Sequence, residues 1–144
     1  MEDLKKAAKI AFASEFNFYL KTHYFHWNVE GIHFKQFHDL FGGIYEEVFG
    51  SIDGFAEKIR SLDSYAPGSF ARLSMLSQIE DEAQLPDALG MTAELLADSD
   101  KMVKILKLCF DIATQSGEDG FANFLAERMD AHRKHSWMLR STLR

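Results

Sequence analysis

The chain of 144 residues has one cysteine and two prolines. A single cysteine excludes any intramolecular disulfide, so the fold rests on packing. Cys109 lies in the apolar run ILKLCF, where a free thiol is expected to be buried and inert. So few prolines, with few β-branched runs, favour long helices over sheet. No long uncharged apolar stretch is present, at the N-terminus (MEDLKKAAKIAF) or elsewhere, so neither a signal peptide nor a membrane span is expected, and a cytoplasmic location is the default. Cationic excess is also missing: the formal net charge is −6, which opposes general attraction to nucleic acid, although a local basic patch is not excluded by the total. Hydrophobic residues make up 47 %, too many for a disordered chain and enough for the core of one domain over residues 1–144.

Histidine is what the chain concentrates. Four of the six fall between His23 and His38, in HYFHWNVEGIHFKQFH, and the same stretch runs on to Asp53 and Glu57, a carboxylate pair four residues apart. Imidazoles with carboxylates are the ligand set of a redox-active divalent metal such as iron.

Hydrophobic periodicity reads as helices over about 3–29 and 33–61, with a turn at Glu30-Gly31. On the first helix Leu4, Ala8, Phe12, Phe16 and Tyr19 mark an apolar side, and Lys5, Lys6, Lys9 and Lys21 a wet one. Gly42, Gly43, Gly50 and Gly54 each weaken the second helix by about 0.8–1 kcal/mol relative to Ala. The flanking amphipathic pattern nevertheless favours a continuous helix; the alternatives are a kink, or a close backbone approach at Gly43, Gly50 and Gly54. Residues 62–85 break the pattern at Ala66-Pro67-Gly68 and serve as a long crossover, with one short helix expected around Leu73, Met75, Leu76 and Ile79. A third long helix starts near Pro86 and runs to about Gln115. Ser116-Gly117-Glu118-Asp119 supplies a cap with acidic first-turn residues for the last helix, which runs to about Thr142.

Distance constrains the ligand set. His38 and Asp53 are fifteen residues apart, so on a continuous helix they stand about 22 Å apart along the axis at ~1.5 Å per residue. Metal–ligand bonds are only about 2 Å. His26 and His38 can meet across the turn, but Asp53 and Glu57 of the same chain cannot join them. A two-fold dimer, in which the histidines of one chain meet the carboxylates of its partner, would give two equivalent sites.

The run HWNVEG, the His26-x11-His38 spacing, the Asp53-x3-Glu57 pair, Ala66-Pro67-Gly68 and the C-terminal HRKHSWMLRS resemble the Dps family, the DNA-binding proteins from starved cells, which are ferritin-like mini-cages. The resemblance covers nearly the whole chain. It implies an all-α, ferritin-like four-helix bundle with a long crossover between the second and third long helices, assembled as a hollow homododecamer. The implied activity is ferroxidase: Fe(II) is oxidised with hydrogen peroxide or oxygen between two-fold-related subunits, and the ferric mineral is stored inside. His26, His38, Asp53 and Glu57 are then the catalytic iron ligands. Trp27, where many members place a tryptophan, can intercept stray oxidising equivalents. Four residues after His38 the family usually has Asp or Glu and this chain has Gly42, so one of the two iron positions is expected to be weakened. The family lines an acidic pore from the start of the last helix, which here carries Glu118, Asp119 and Glu127.

Three readings stand beside one another: a ferroxidase and iron store, a DNA-compacting architectural protein, and a helical assembly with a vestigial metal site. DNA binding is expected to be weak or absent, because members that condense DNA often use a Lys-rich N-terminal extension and only four residues precede Lys5 here. His23 forms HxxH with His26 and is a candidate to support a neighbouring ligand more than to bind metal itself. His33 follows a turn and has a low claim to ligation. His132 and His135 form another HxxH with no evident carboxylate partner, which favours core or surface roles.

Overall fold

The computed structural model describes residues 1–144 and is entirely helical. Four long helices, α1 (Glu2–Asn28), α2 (Phe34–Ser61), α4 (Ala88–Gln115) and α5 (Asp119–Thr142), form the bundle, and the short α3 (Phe70–Leu76) lies in the crossover between α2 and α4. This is the all-α ferritin-like architecture expected from the sequence.

The apolar spacing of each helix explains which face turns inward. On α1, Leu4, Ala8, Ala11, Phe12, Phe18 and Phe25 are buried; on α2, Phe41, Ile44, Val48, Phe55 and Ile59. Fully burying each such large side chain stabilises the fold by about 1.5–3 kcal/mol. Phe55 joins three helices, meeting Phe12 of α1 edge-on at 5.7 Å and Phe124 of α5 at 5.3 Å between ring centroids.

Helix ends are set by local chemistry. Gly31 takes φ +124°, a backbone state closed to most side chains, and turns the chain from α1 into α2. Gly117 (φ +75°) ends α4 in a Schellman motif: its N–H donates to the Thr114 carbonyl at 3.1 Å, and the Glu118 N–H to the Ala113 carbonyl at 2.9 Å. The start of α4 differs from expectation. Pro86 lies outside the helix, and Asp87 is the N-cap, its Oδ1 accepting from the Gly90 N–H at 2.7 Å. At α5 the cap position falls on Glu118, whose side chain makes no cap hydrogen bond. In the crossover, Ile79 lies beyond the short helix but is buried, with its carbonyl held by Asn17 and Ser77.

Helix α2 is unbroken from Phe34 to Ser61 despite its four glycines. Within the chain nothing approaches the positions a Cβ would occupy at Gly43 or Gly50, so no neighbouring backbone explains them. Lys21 corrects the expected wet face of α1. It sits between Phe18 and Phe25 on the buried side, and its ammonium reaches Asp98 of α4 at 2.8 Å and Glu94 at 3.2 Å. A crossing helix that supplies two carboxylates makes that burial tolerable. No helix is long and apolar enough to cross a membrane.

Candidate metal centre

The turn after α1 brings His26 against His38. Their rings stack with centroids 3.7 Å apart and planes 19° from parallel. Each Nδ1 lies 2.7 Å from the other residue's main-chain carbonyl oxygen. A carbonyl oxygen only accepts, so each Nδ1 carries a proton, and in the neutral ring each Nε2 keeps its lone pair. That is the tautomer a histidine ligand needs, fixed by a hydrogen bond on the far side of the ring. Phe34 stacks on the open face of His38 at 4.9 Å.

Asp53 and Glu57 are exposed, one turn apart, far along the unbroken α2. Within the single chain no group of three or more His, Cys, Asp or Glu side chains is placed to hold a metal ion. The structure therefore joins two of the four expected ligands, His26 with His38, and leaves the other two facing outward at the opposite end of the same helix. Imidazole nitrogen with carboxylate oxygen suits ferrous and ferric iron alike.

His23 stands beside this pair, its ring 5.9 Å from that of His26. Its Nδ1 is 3.0 Å from the Tyr19 hydroxyl, Tyr45 stacks flat upon it at 3.7 Å and 10°, and Trp27 leans on it at 4.1 Å. Burial, reinforced by His26, holds its pKa below the usual imidazole value despite Glu46 nearby. Trp27 is itself 56 % exposed. His33 caps the start of α2 without a side-chain hydrogen bond. At the far end of the bundle, Glu118 is half-buried and Asp119 and Glu127 are exposed.

A second cluster escaped sequence reasoning. His132 and His135 are both buried, and each has a carboxylate partner from another helix. His132 Nε2 meets Glu15 of α1 at 2.5 Å, and His135 Nε2 meets Glu47 of α2 at 2.8 Å. Arg128 bridges the two acids, with Nη1 2.5 Å and Nη2 3.1 Å from Glu47 and Nε 3.4 Å from Glu15. Burial alone would raise the Glu47 pKa, but hydrogen bonds from His135 and Arg128 together with the guanidinium charge bring it down to about 2. Glu15, fully enclosed, is likewise lowered by His132 and Arg128 against the effect of burial. Burial pushes His135 below its usual value. Arg128 supplies the cation this network needs and bridges both carboxylates, so the cluster holds α1, α2 and α5 together; the buried His135 Nδ1 is left without a hydrogen-bond partner. The available signal was positional: Glu15 and Arg128 sit at core-facing steps of otherwise apolar helix faces.

Comparison with known proteins agrees with this architecture. Residues 6–144 match the model of the ferritin-like domain family. A low temperature-induced protein of Nostoc, itself uncharacterised, is 35 % identical over 127 residues, covering 85 % of this chain and 69 % of that one. A DNA protection during starvation protein of Brevibacillus brevis is 30 % identical over 125 residues, covering 87 % and 84 %. The crystal structure of Dps from Thermosynechococcus elongatus superimposes with a TM-score of 0.96 at 26 % identity, covering 99 % of this chain and 91 % of that one.

Proposed function

We propose that this chain, which belongs to the ferritin-like family and to its Dps branch, oxidises ferrous iron at sites shared between two-fold-related copies and stores the ferric product in a hollow homododecameric shell. The observation that carries the proposal is the reciprocal hydrogen bonding of His26 and His38, which leaves two stacked imidazoles with free Nε2 lone pairs. Asp53 and Glu57 of the partner subunit would complete the donor set, since those of the same chain stand about 22 and about 28 Å from His38 along the helix.

Iron is the substrate. Two ferrous ions give one electron each to hydrogen peroxide, the O–O bond breaks, two protons are taken up and two waters leave; oxygen can serve as the oxidant instead. Imidazoles and carboxylates suit this because they bind both oxidation states and are not themselves oxidised. Large apolar side chains left open on the single chain, among them Ile32, Phe70, Met75 and Leu108, support assembly with further copies. A ring of Glu118, Asp119 and Glu127 around a three-fold axis would admit cations. DNA binding is weak or absent in this reading, because a shell of chains each carrying −6 repels phosphate; stable stoichiometric duplex complexes at near-physiological salt would favour the architectural reading instead.

The test is iron-dependent peroxide consumption by the assembled protein. Wild type should consume peroxide in step with ferrous ion, and a His26→Ala/His38→Ala protein should not. Consumption by that variant at the wild-type rate would reject the site.

A further inference from the structure

Beside the proposed ligands lies a run of aromatic rings that the iron chemistry above does not use. Tyr45 stands 5.0 Å from His26 between centroids. His23 stacks on Tyr45 at 3.7 Å, with planes within 10°. The Tyr19 hydroxyl lies 3.0 Å from His23 Nδ1. The rings thus form an unbroken path from His26 to Tyr19, and the path ends on a phenol hydrogen-bonded to an imidazole. A phenol gives up an electron readily only if its proton leaves in the same event, and a ring nitrogen at hydrogen-bond distance is placed to take it.

Electron count supplies a role. Reducing one peroxide takes two electrons, and one ferrous ion gives one. Gly42 leaves the site without a side chain where a further ligand would sit, so the donor set is two imidazoles and two carboxylates. We propose that Tyr19 supplies the second electron. The electron travels through the His23–Tyr45 stack to the iron site, and the phenol proton moves to His23 Nδ1. This rests on the ferroxidase reading.

The step balances as follows. Peroxide takes one electron from ferrous ion and one from Tyr19, binds two protons from solvent, loses its O–O bond and leaves as two waters. Ferrous ion becomes ferric, Tyr19 becomes a neutral phenoxyl radical, and His23 carries the phenol proton. A second ferrous ion then reduces the radical, the proton returns from His23, and the cycle closes at two ferrous ions per peroxide. Tyr19 is an electron donor, and His23 is the positioning residue through which it acts.

The experiment is rapid freeze-quench electron paramagnetic resonance on the assembled protein, loaded anaerobically with one ferrous ion per site and mixed with one equivalent of hydrogen peroxide. Wild type should give a phenoxyl signal. Tyr19→Phe should abolish it with ferrous binding unchanged, His23→Phe should lose most of it while keeping a stacked ring, and Tyr65→Phe, on the exposed crossover, should leave it intact. A second arm oxidises the metal-free protein with a photogenerated ruthenium oxidant: phenoxyl yield should fall in Tyr19→Phe and His23→Phe and hold in Tyr65→Phe. Ferrous oxidation without any radical, a signal that survives Tyr19→Phe, or a tryptophanyl signal from Trp27 would overturn the assignment of Tyr19. Failure of wild type to oxidise ferrous ion at all would count against the ferroxidase reading, and the photochemical arm would then still report on Tyr19 and His23.

Discussion

The His26 imidazole lies directly against Gly42: a Cβ at position 42 would stand 3.1 Å from its Cε1 and 3.2 Å from its Nδ1. The absence of a side chain there leaves room for the ring that the His38 carbonyl holds in place. In the proposed site, position 42 therefore couples ligand number to ligand geometry. Gly42→Ala should crowd His26 by a few tenths of an ångström and add no donor, so ferrous affinity should fall. Gly42→Asp brings the same crowding but adds a carboxylate, and should raise the stoichiometry toward two ferrous ions per site. Anaerobic iron titration by calorimetry reads both. Unchanged binding in both variants, with helix content preserved, would remove Gly42 from the account.

Arg128 is the keystone of the bundle centre, so removing it should cost more than any surface substitution. Its side chain is 5 % exposed and that of Glu15 is fully enclosed. Arg128→Met would leave the Glu15 carboxylate buried with His132 as its remaining hydrogen-bond partner. Breaking a buried ion pair from one side destabilises by about 3–5 kcal/mol. The expected result is a large drop in the thermal midpoint or loss of soluble protein. A midpoint within a few degrees of wild type would show that Glu15 is neutral or solvated.

Acid should weaken the same centre in two stages. His135 has a folded-state pKa below its ordinary 6.5, so the unfolded chain takes the proton first. Its contribution is fully present above pH 6.5 and drains away as pH falls toward the folded value. Glu47 is lowered from 4.5 to about 2, and Glu15 is also lowered; their contributions are present above pH 4.5 and lost as pH falls toward 2. Stability against pH should thus be level above about 6.5 and decline below it, steepening under 4.5. His135→Gln keeps an N–H for Glu47 but cannot titrate, so it should flatten part of the loss between pH 6.5 and 4.5; His23, lowered in the same direction, keeps the rest. Chemical denaturation across that range is the check, and an unchanged slope would assign the pH dependence elsewhere.

These two clusters show what was legible in the sequence. The four long helices follow from apolar periodicity, and the separation of His38 from Asp53 follows from helix geometry alone, so the incompleteness of a single-chain site could be read without coordinates. The Glu15–Arg128–Glu47 network could not. Its members are up to 113 residues apart, and a charged residue on an apolar face looks like an interruption until the helix carrying its partner is known. Lys21 reads as solvent-facing for the same reason, because Asp98 and Glu94 come from α4. Pro86 and Asp87 are both good helix-start residues, and only the Asp87–Gly90 hydrogen bond decides between them.

Iron uptake should depend on the acidic start of α5. Asp119 opens the helix, Glu118 precedes it and Glu127 follows two turns on. A ring of such carboxylates concentrates cations by focusing the field, an effect that salt screens. Glu118→Gln with Asp119→Asn should slow ferrous uptake, more so at low ionic strength, without changing assembly. Equal stopped-flow uptake rates at low salt would leave these acids as helix N-terminal charges only.

Mixed assemblies test the shared site most directly. A chain carrying His26→Ala and His38→Ala lacks the imidazole half, and a chain carrying Asp53→Ala and Glu57→Ala lacks the carboxylate half. Co-refolded in equal amounts, unlike chains should pair in half of the dimers and rebuild one of the two sites in each, restoring about a quarter of the wild-type ferroxidase sites, while either parent alone stays inactive. Mixed assembly demonstrated by mass spectrometry, with no recovered activity, would contradict the intersubunit site.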